Sequence, residues 1–289
     1  MSKKQITSIG IAVVLIAIYL GVRMYASNVA EGQVNEAIAK AANFADIDYK
    51  KVSVDLPGMD VRISDILVSP ANAKEKIKID EIIIHDLDNK SDIPAFLSMS
   101  CNGIELNIKD LGENTKELKA LGYNDKMMIN LNADYTYDKE KKELDIKKIG
   151  IGADEAGEIS VGFRLGNINL KPEEIAILLF TFPQVIFHEA KIKYEDNSLA
   201  ERLMKLGAQK EQTSVENFKK SLMQKVEKEI EKEKDDFTKK ALNEIKKFLE
   251  DPKEFSISAS PSKPQPLGRI MRVDDPKDVI NLLNIQIKS

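Results

Sequence analysis

The stretch Val61-Arg62-Ile63-Ser64-Asp65-Ile66-Leu67-Val68 places apolar residues at its first, third, sixth and eighth positions. Each half alternates with period two, the signature of a strand with one apolar face. The extra residue at the centre would send the second half to the other face. A β-bulge at the polar pair keeps all four apolar side chains together and bends the strand. The same spacing recurs at Ile47-Tyr49-Val52-Val54, Ile77-Ile79-Ile82-Ile84, Leu144-Ile146-Ile149-Ile151, Phe163-Leu165-Ile168-Leu170 and Val185-Phe187-Ala190-Ile192. The polar centres are Lys50-Lys51, Asp80-Glu81, Lys147-Lys148, Gly166-Asn167 and His188-Glu189. β-branched residues dominate the apolar places, which suits a pleated, half-buried surface. A chain that repeats this device is steered toward a bent sheet with one apolar side. Plain hairpins without bulges are the competing reading. Val61, Ile63, Ile66, Val68, Ile77, Ile79, Ile82, Ile84, Ile146 and Ile149 are the candidate apolar face.

Ahead of the strands, Ile6 to Val22 runs 17 residues without a charge, after Lys3 and Lys4. As helix it is about 26 Å long, at the short end for a bilayer core of about 30 Å. Ile6, Ile9, Ile11, Val14, Leu15, Ile18, Leu20 and Val22 would face lipid as an uncleaved single-pass anchor. Met24 three residues before a cut after Ala26 disfavours cleavage as a signal peptide. The lysines put the N-terminus in the cytoplasm and the rest outside, the periplasm in a bacterium. Three segments follow: an anchor over 1–27, a stalk helix over 28–44, and a β-rich domain over 45–289 with a helical insert at 198–250. Pro172 to Phe180 reads as a short, all-round apolar helix, buried in protein or else dipping into a bilayer or plugging an apolar groove. Ser198-Leu199-Ala200-Glu201 and Thr213-Ser214-Val215-Glu216 read as capping boxes. The second opens a single long helix to Glu250, laid along the sheet. The expected fold is α+β: an N-terminal transmembrane helix, then a curved, mainly antiparallel β-sheet domain with a long helix packed across it.

Charge and motif content exclude several functions. Lys and Arg number 43 against 47 Asp and Glu, a net charge of −4, without the basic excess of a nucleic-acid binder. The single cysteine, Cys101, forms no internal disulfide and reads as a small buried apolar residue. His85 and His188, the only histidines, lack an HExxH or a third ligand, so neither a metal nor a catalytic role is assigned. Gly150-Ile151-Gly152 misses the dinucleotide fingerprint because Glu155 stands at the third glycine. No GxxxxGK[ST] or GxSxG is present. No catalytic motif, metal site or cofactor is expected.

The bulged strands Val61 to Val68 and Ile77 to Ile84 resemble those of the AsmA-type proteins of the bacterial envelope. The stretch Ser260-Pro261-Ser262-Lys263-Pro264-Gln265-Pro266-Leu267, with the terminal Leu282-Leu283-Asn284-Ile285-Gln286-Ile287, is similar to the ends of AsmA-like and YdgA-type families. The resemblance implies an inner-membrane anchor, a periplasmic domain and a part in lipid traffic or outer-membrane homeostasis. It carries over no site residue. Two readings stand. In the first, the apolar face is incompletely covered and binds phospholipid or another apolar ligand. In the second, the face is a closed core and the protein is a structural or assembly factor acting through protein contacts. A hydrolase with an unmarked carboxylate site is a third.

Overall fold

The computed structural model describes residues 45–55, 60–70, 76–88, 94–171 and 178–289. Its strands are β1 (Ala45–Asp48), β2 (Lys51–Asp55), β3 (Asp60–Pro70), β4 (Ile77–Leu87), β5 (Phe96–Asn107), β6 (Lys126–Asp138), β7 (Glu143–Ala153), β8 (Gly157–Gly166), β9 (Ile186–Asp196), β10 (Glu254–Ala259), β11 (Gln265–Pro266) and β12 (Ile285–Lys288). They form one antiparallel sheet in the order β1-β3-β4-β5-β6-β7-β8-β9-β10-β12, with β2 beside β3 and β11 beside β9. The helices are α1 (Thr115–Ala120), α2 (Leu178–Thr181), α3 (Leu199–Lys210), α4 (Val215–Lys232), α5 (Asp236–Glu250), α6 (Leu267–Ile270) and α7 (Pro276–Leu283).

The polar centres bend the strands. In β3 the register with β4 is the same on both sides of the polar centre, Ser64–Glu81 and Ile66–Ile79, so the extra residue is matched by one in β4, and Asp65 takes a left-handed φ of 55°. Aspartate tolerates that conformation better than a β-branched neighbour would. Val61, Ile63, Ile66 and Val68 are consequently all buried on one face. Opposite the same point, β1 and β2 are the two halves of a strand broken at Tyr49-Lys50. In β7 the register steps from Ile146–Phe163 to Ile149–Val161 around Lys147-Lys148. In β9 it steps from Glu189 to Phe187, leaving His188 as the extra residue. The bulge expected at Gly166-Asn167 is absent. β8 ends at Gly166, Asn167 turns the chain at φ 57°, and Ile168 is buried beyond the strand.

The expected fold class is corrected. A 12-stranded sheet dominates the described residues. Among them no helix is long and apolar enough to cross a membrane, so the structure gives no support to a single-pass inner-membrane protein with a periplasmic domain. Ile6 to Val22 and the stalk over 28–44 lie outside the described residues.

The long helix laid across the sheet is also corrected. The chain breaks at Glu233–Asp235 and doubles back, so Lys219 Nζ reaches the Glu250 carbonyl at 2.8 Å and Lys246 pairs with Glu227 at 2.8 Å. The apolar stripe has a gap between Ile230 and Phe237, and that gap is the turn. Glu233 accepts from the backbone N–H groups of Lys234 and Asp235, at 2.7 and 2.8 Å. Asp235 then caps α5.

The other caps differ in detail. Ser214, rather than Thr213, caps α4 by accepting from Asn217 N–H. At α3 it is Asp196 that accepts from Ala200 N–H, at 2.9 Å, while Ser198 donates to the Glu155 carbonyl. Phe180, read as buried, is 84% exposed.

The Asp235 carboxylate accepts from Thr238 N–H at 2.9 Å and Thr238 Oγ1 at 3.0 Å, and pairs with Lys277 at 3.0 Å. The Thr238 amide above all, and Lys277 after it, hold its carboxyl down at about 2. The unfolded chain titrates near about 3.9. The folded value is the lower one, so this cap stabilises above about pH 4 and is lost as pH falls toward 2. Amide exchange at residues 236–239 is therefore expected to accelerate relative to mid-α4 across that window. In Asp235→Ala the same amides are expected to exchange fast at every pH.

Candidate functional site: a half-open apolar sheet face

The bulges keep the apolar side chains in register from strand to strand. One cross-strand row runs Val54, Val61, Ile84, Met99, Ala133, Ile149, Val161, Ile192, Ile257, Ile287, from β2 to β12. A second runs Ile63, Ile82, Cys101, Leu131, Ile151, Ile159, Tyr194, Phe255. Both lie on the face that carries the core. Opposite it runs a polar network, in which Arg62 donates to Asp55 at 2.9 Å and pairs with Glu81, and Asn102 Nδ2 donates to Glu81 at 2.9 Å. The Asn102 bond, reinforced by Arg62, holds the Glu81 carboxyl below its ordinary range.

The apolar face is divided. Over β3–β5 it is closed: Val61, Ile63, Ile66, Val68, Ile79, Ile82 and Ile84 are buried, and Ile77 is partly so. Cys101 is buried in the same layer, which pushes its thiol up to about 12. Over β7–β10 the face is open. Ile149, Ile151, Ile159, Ile192 and Ile257 are each between 41% and 54% exposed although they continue the same rows. Of the ten candidate face residues, then, Ile146 is buried at the border and Ile149 alone stands in the open part. The others line the closed half and are not free to meet a ligand. Ile159 and Ile257 were missed because no bulge marks their strands. Their signal is plain alternation, Ile159-Val161-Phe163 and Phe255-Ile257-Ala259.

The helical hairpin reaches this face only along its far side. Phe248 of α5 packs edge-on against Tyr194 and Phe255, with ring centroids 6.0 and 5.9 Å apart. Ser289 donates to Glu244 through its N–H and its hydroxyl, tying β12 to α5. No residue of α4 or α5 is fully buried, so the pair rests on the sheet without sealing it. Beyond Phe248 a pocket of about 510 Å³ opens between α5, α7 and β12. Phe237, Ala241, Ile280, Ile285 and Ile287 give it apolar walls, and Lys240 stands among them. Ile285 and Ile287 share the face of Ile257 through the β10–β12 register, so the pocket wall adjoins the end of the open face.

One constellation on the polar face has the form of a nucleophilic triad. His85 Nδ1 lies 3.2 Å from Asp60 Oδ2, and Nε2 lies 2.7 Å from Ser100 Oγ. Ser100 is buried in the middle of β5, where flanking residues pair with β4 and β6. The neighbouring amides are engaged in the sheet and do not converge on a point where an oxyanion would form. The arrangement reads as a hydrogen-bonded chain linking three strands. His188 faces Glu143 at 3.9 Å. Among the described residues no group of three or more His, Cys, Asp or Glu side chains is placed to hold a metal ion.

A family model described as "Uncharacterized protein" matches residues 150–289, the stretch from the end of β7 to the C-terminus. An uncharacterized protein of Aquifex aeolicus (strain VF5) is 28% identical, over 99% of this chain and 100% of its own length.

Proposed function

We propose that the open half of the sheet binds an elongated apolar molecule, a lipid chain or a ligand of like character. The observation that carries this is the run of five isoleucines left 41–54% exposed on β7–β10, while the same cross-strand rows are buried at Val61, Ile63, Ile82, Ile84, Met99 and Cys101 on β3–β5. Scattered exposed apolar residues are ordinary, but a contiguous patch marks a binding surface. Fully burying an isoleucine contributes about 1.5–3 kcal/mol. Completing the burial of five that are half covered gives on the order of 4–7 kcal/mol, before the ligand's own methylenes are counted. Ordering the ligand opposes this, so net affinities in the micromolar range are expected.

The test uses the full chain and a fluorescent polyene fatty acid. Saturable binding is expected, with about a tenfold or greater loss in Ile192→Glu/Ile257→Glu and an unchanged melting temperature, because both positions already meet water. Absence of saturable binding, or equal affinity in the double variant, would overturn the reading.

The second reading, an assembly factor acting through protein contacts, draws on a separate spot. Phe180 and Met271, 84% and 66% exposed, present apolar surface away from the isoleucine row. An engineered Phe180→Ser/Met271→Ser protein that loses a physiological partner while still binding the probe would favour it.

A further inference from the structure

We infer that the pocket between α5, α7 and β12 receives the carboxylate of a fatty acid whose tail lies along the isoleucine row. The inference rests on the apolar-chain reading above and adds the head group to it. The row Ile149, Val161, Ile192, Ile257, Ile287 crosses five adjacent strands. Four inter-strand spacings make it roughly 19 Å long, enough for one extended chain. The row does not end at a blank edge. Ile287 belongs to it and also to the pocket wall, so a chain on the row leads into a chamber of about 510 Å³.

What the chamber adds is polarity at one point. Three charged residues line it: Asp236, Lys240 and Lys288. Lys288 alternates with Ile287 along β12 and pairs with buried Ser256, which places it toward the opposite face. Asp236 sits in the first turn of α5, where a negative charge already meets the helix N-terminus. The neighbouring Lys277 is engaged by Asp235. Lys240 forms no ion pair among the described residues, and Asn281 and Asn284 stand beside the same space with amide groups. Lys288 likewise forms no ion pair among the described residues, but of the two ammonium groups Lys240 stands on α5, away from the face to which β12 turns Lys288, and it is the one assigned to the single negative charge of a carboxylate. A two-chain lipid would need a second apolar track leading to the same pocket. Lys240 is exposed at the rim, so the ammonium–carboxylate contact is open to water and weakens as salt rises.

The experiment compares dodecanoate with dodecanol, equal in chain and different in charge, by displacement of the polyene probe from the full-length protein at pH 8. Dodecanoate is expected to bind at least about tenfold more tightly. Lys240→Gln is expected to erase that preference while leaving dodecanol within about twofold of the parent, and Lys240→Arg to keep it. If parent protein binds both compounds equally, or Lys240→Gln retains the preference, the head-group assignment is wrong and the apolar-chain reading survives. If neither compound displaces the probe, the apolar-chain reading itself fails.

Discussion

Ile84→Ala is expected to lower unfolding free energy by about 3–4 kcal/mol, and Ile192→Ala by less than about 1 kcal/mol. The two residues are of the same type and stand in the same cross-strand row, with four strands between them. Ile84 is 0% exposed, held between Val61 and Met99. Truncating it removes three carbons from packed surroundings and leaves a cavity that a bent sheet, fixed by its bulges, fills poorly. Ile192 is half exposed, so its truncation forfeits little contact. Urea titrations of both variants followed by circular dichroism make the comparison. Similar losses at the two positions would mean that the apolar face is not divided, and the binding site proposed on its open half would go with it.

Gly103→Ala is expected to cost about 2–4 kcal/mol. Two terms contribute. Gly103 lies at φ 69°, where a side chain is strained by about 1–2 kcal/mol. Its missing Cβ is also where the Asp80 side chain lies, at the point where β4 and β5 bend together. Gly112 separates the terms. Its φ is 64°, yet nothing approaches the position a Cβ would take. At ψ −123° it lies outside the left-handed helical well, so Gly112→Ala should show a backbone cost of about 1–3 kcal/mol with no collision at all. Asp80→Gly in the Gly103→Ala background is expected to recover part of the loss, a coupling that thermal melts of the four proteins would resolve. An unrelieved double variant would place the strain elsewhere.

The bulge at Lys147-Lys148 was legible because a period-two pattern that slips by one residue has few other ways to stay on one face, whereas at Ser64-Asp65 the four apolar residues stay together without a register shift, through the left-handed Asp65. Where the same spacing misled, at Phe163 to Leu170, a left-handed Asn167 ended the strand instead. Both outcomes satisfy the local pattern, and only the partner strand decides between them. The helical hairpin failed for a related reason. Asp235 and Thr238 form a cap of the ordinary kind, but they lie in the charged run Glu231 to Asp236, which reads equally well as the exposed side of a continuing helix. The division of the apolar face was not legible at all. Ile84 and Ile192 hold the same place in the same spacing, although Ile84 follows Ile82-Ile83 and Ile192 stands between Lys191 and Lys193, and what separates them is packing contributed by residues distant in sequence. The candidate site read from spacing therefore gathered mostly on the closed half, and the open half emerged only from exposure.

The strand order has a consequence for how the molecule is assembled. From β3 to β9 every strand hydrogen-bonds to its immediate predecessor, so each pairing closes a short loop and carries a small entropic cost. Such low contact order lets the sheet be laid down progressively as the chain leaves the ribosome, each new hairpin templated on the one before. β10 also pairs with its predecessor β9, but across a long excursion, since α3, α4 and α5 must be synthesised before it can reach that strand. Until then β9 is a raw edge carrying Ile192, open to mispairing with another nascent chain. β10, with β12 beyond it, closes that edge, which makes the last stretch of the polypeptide the step that ends its exposure to aggregation.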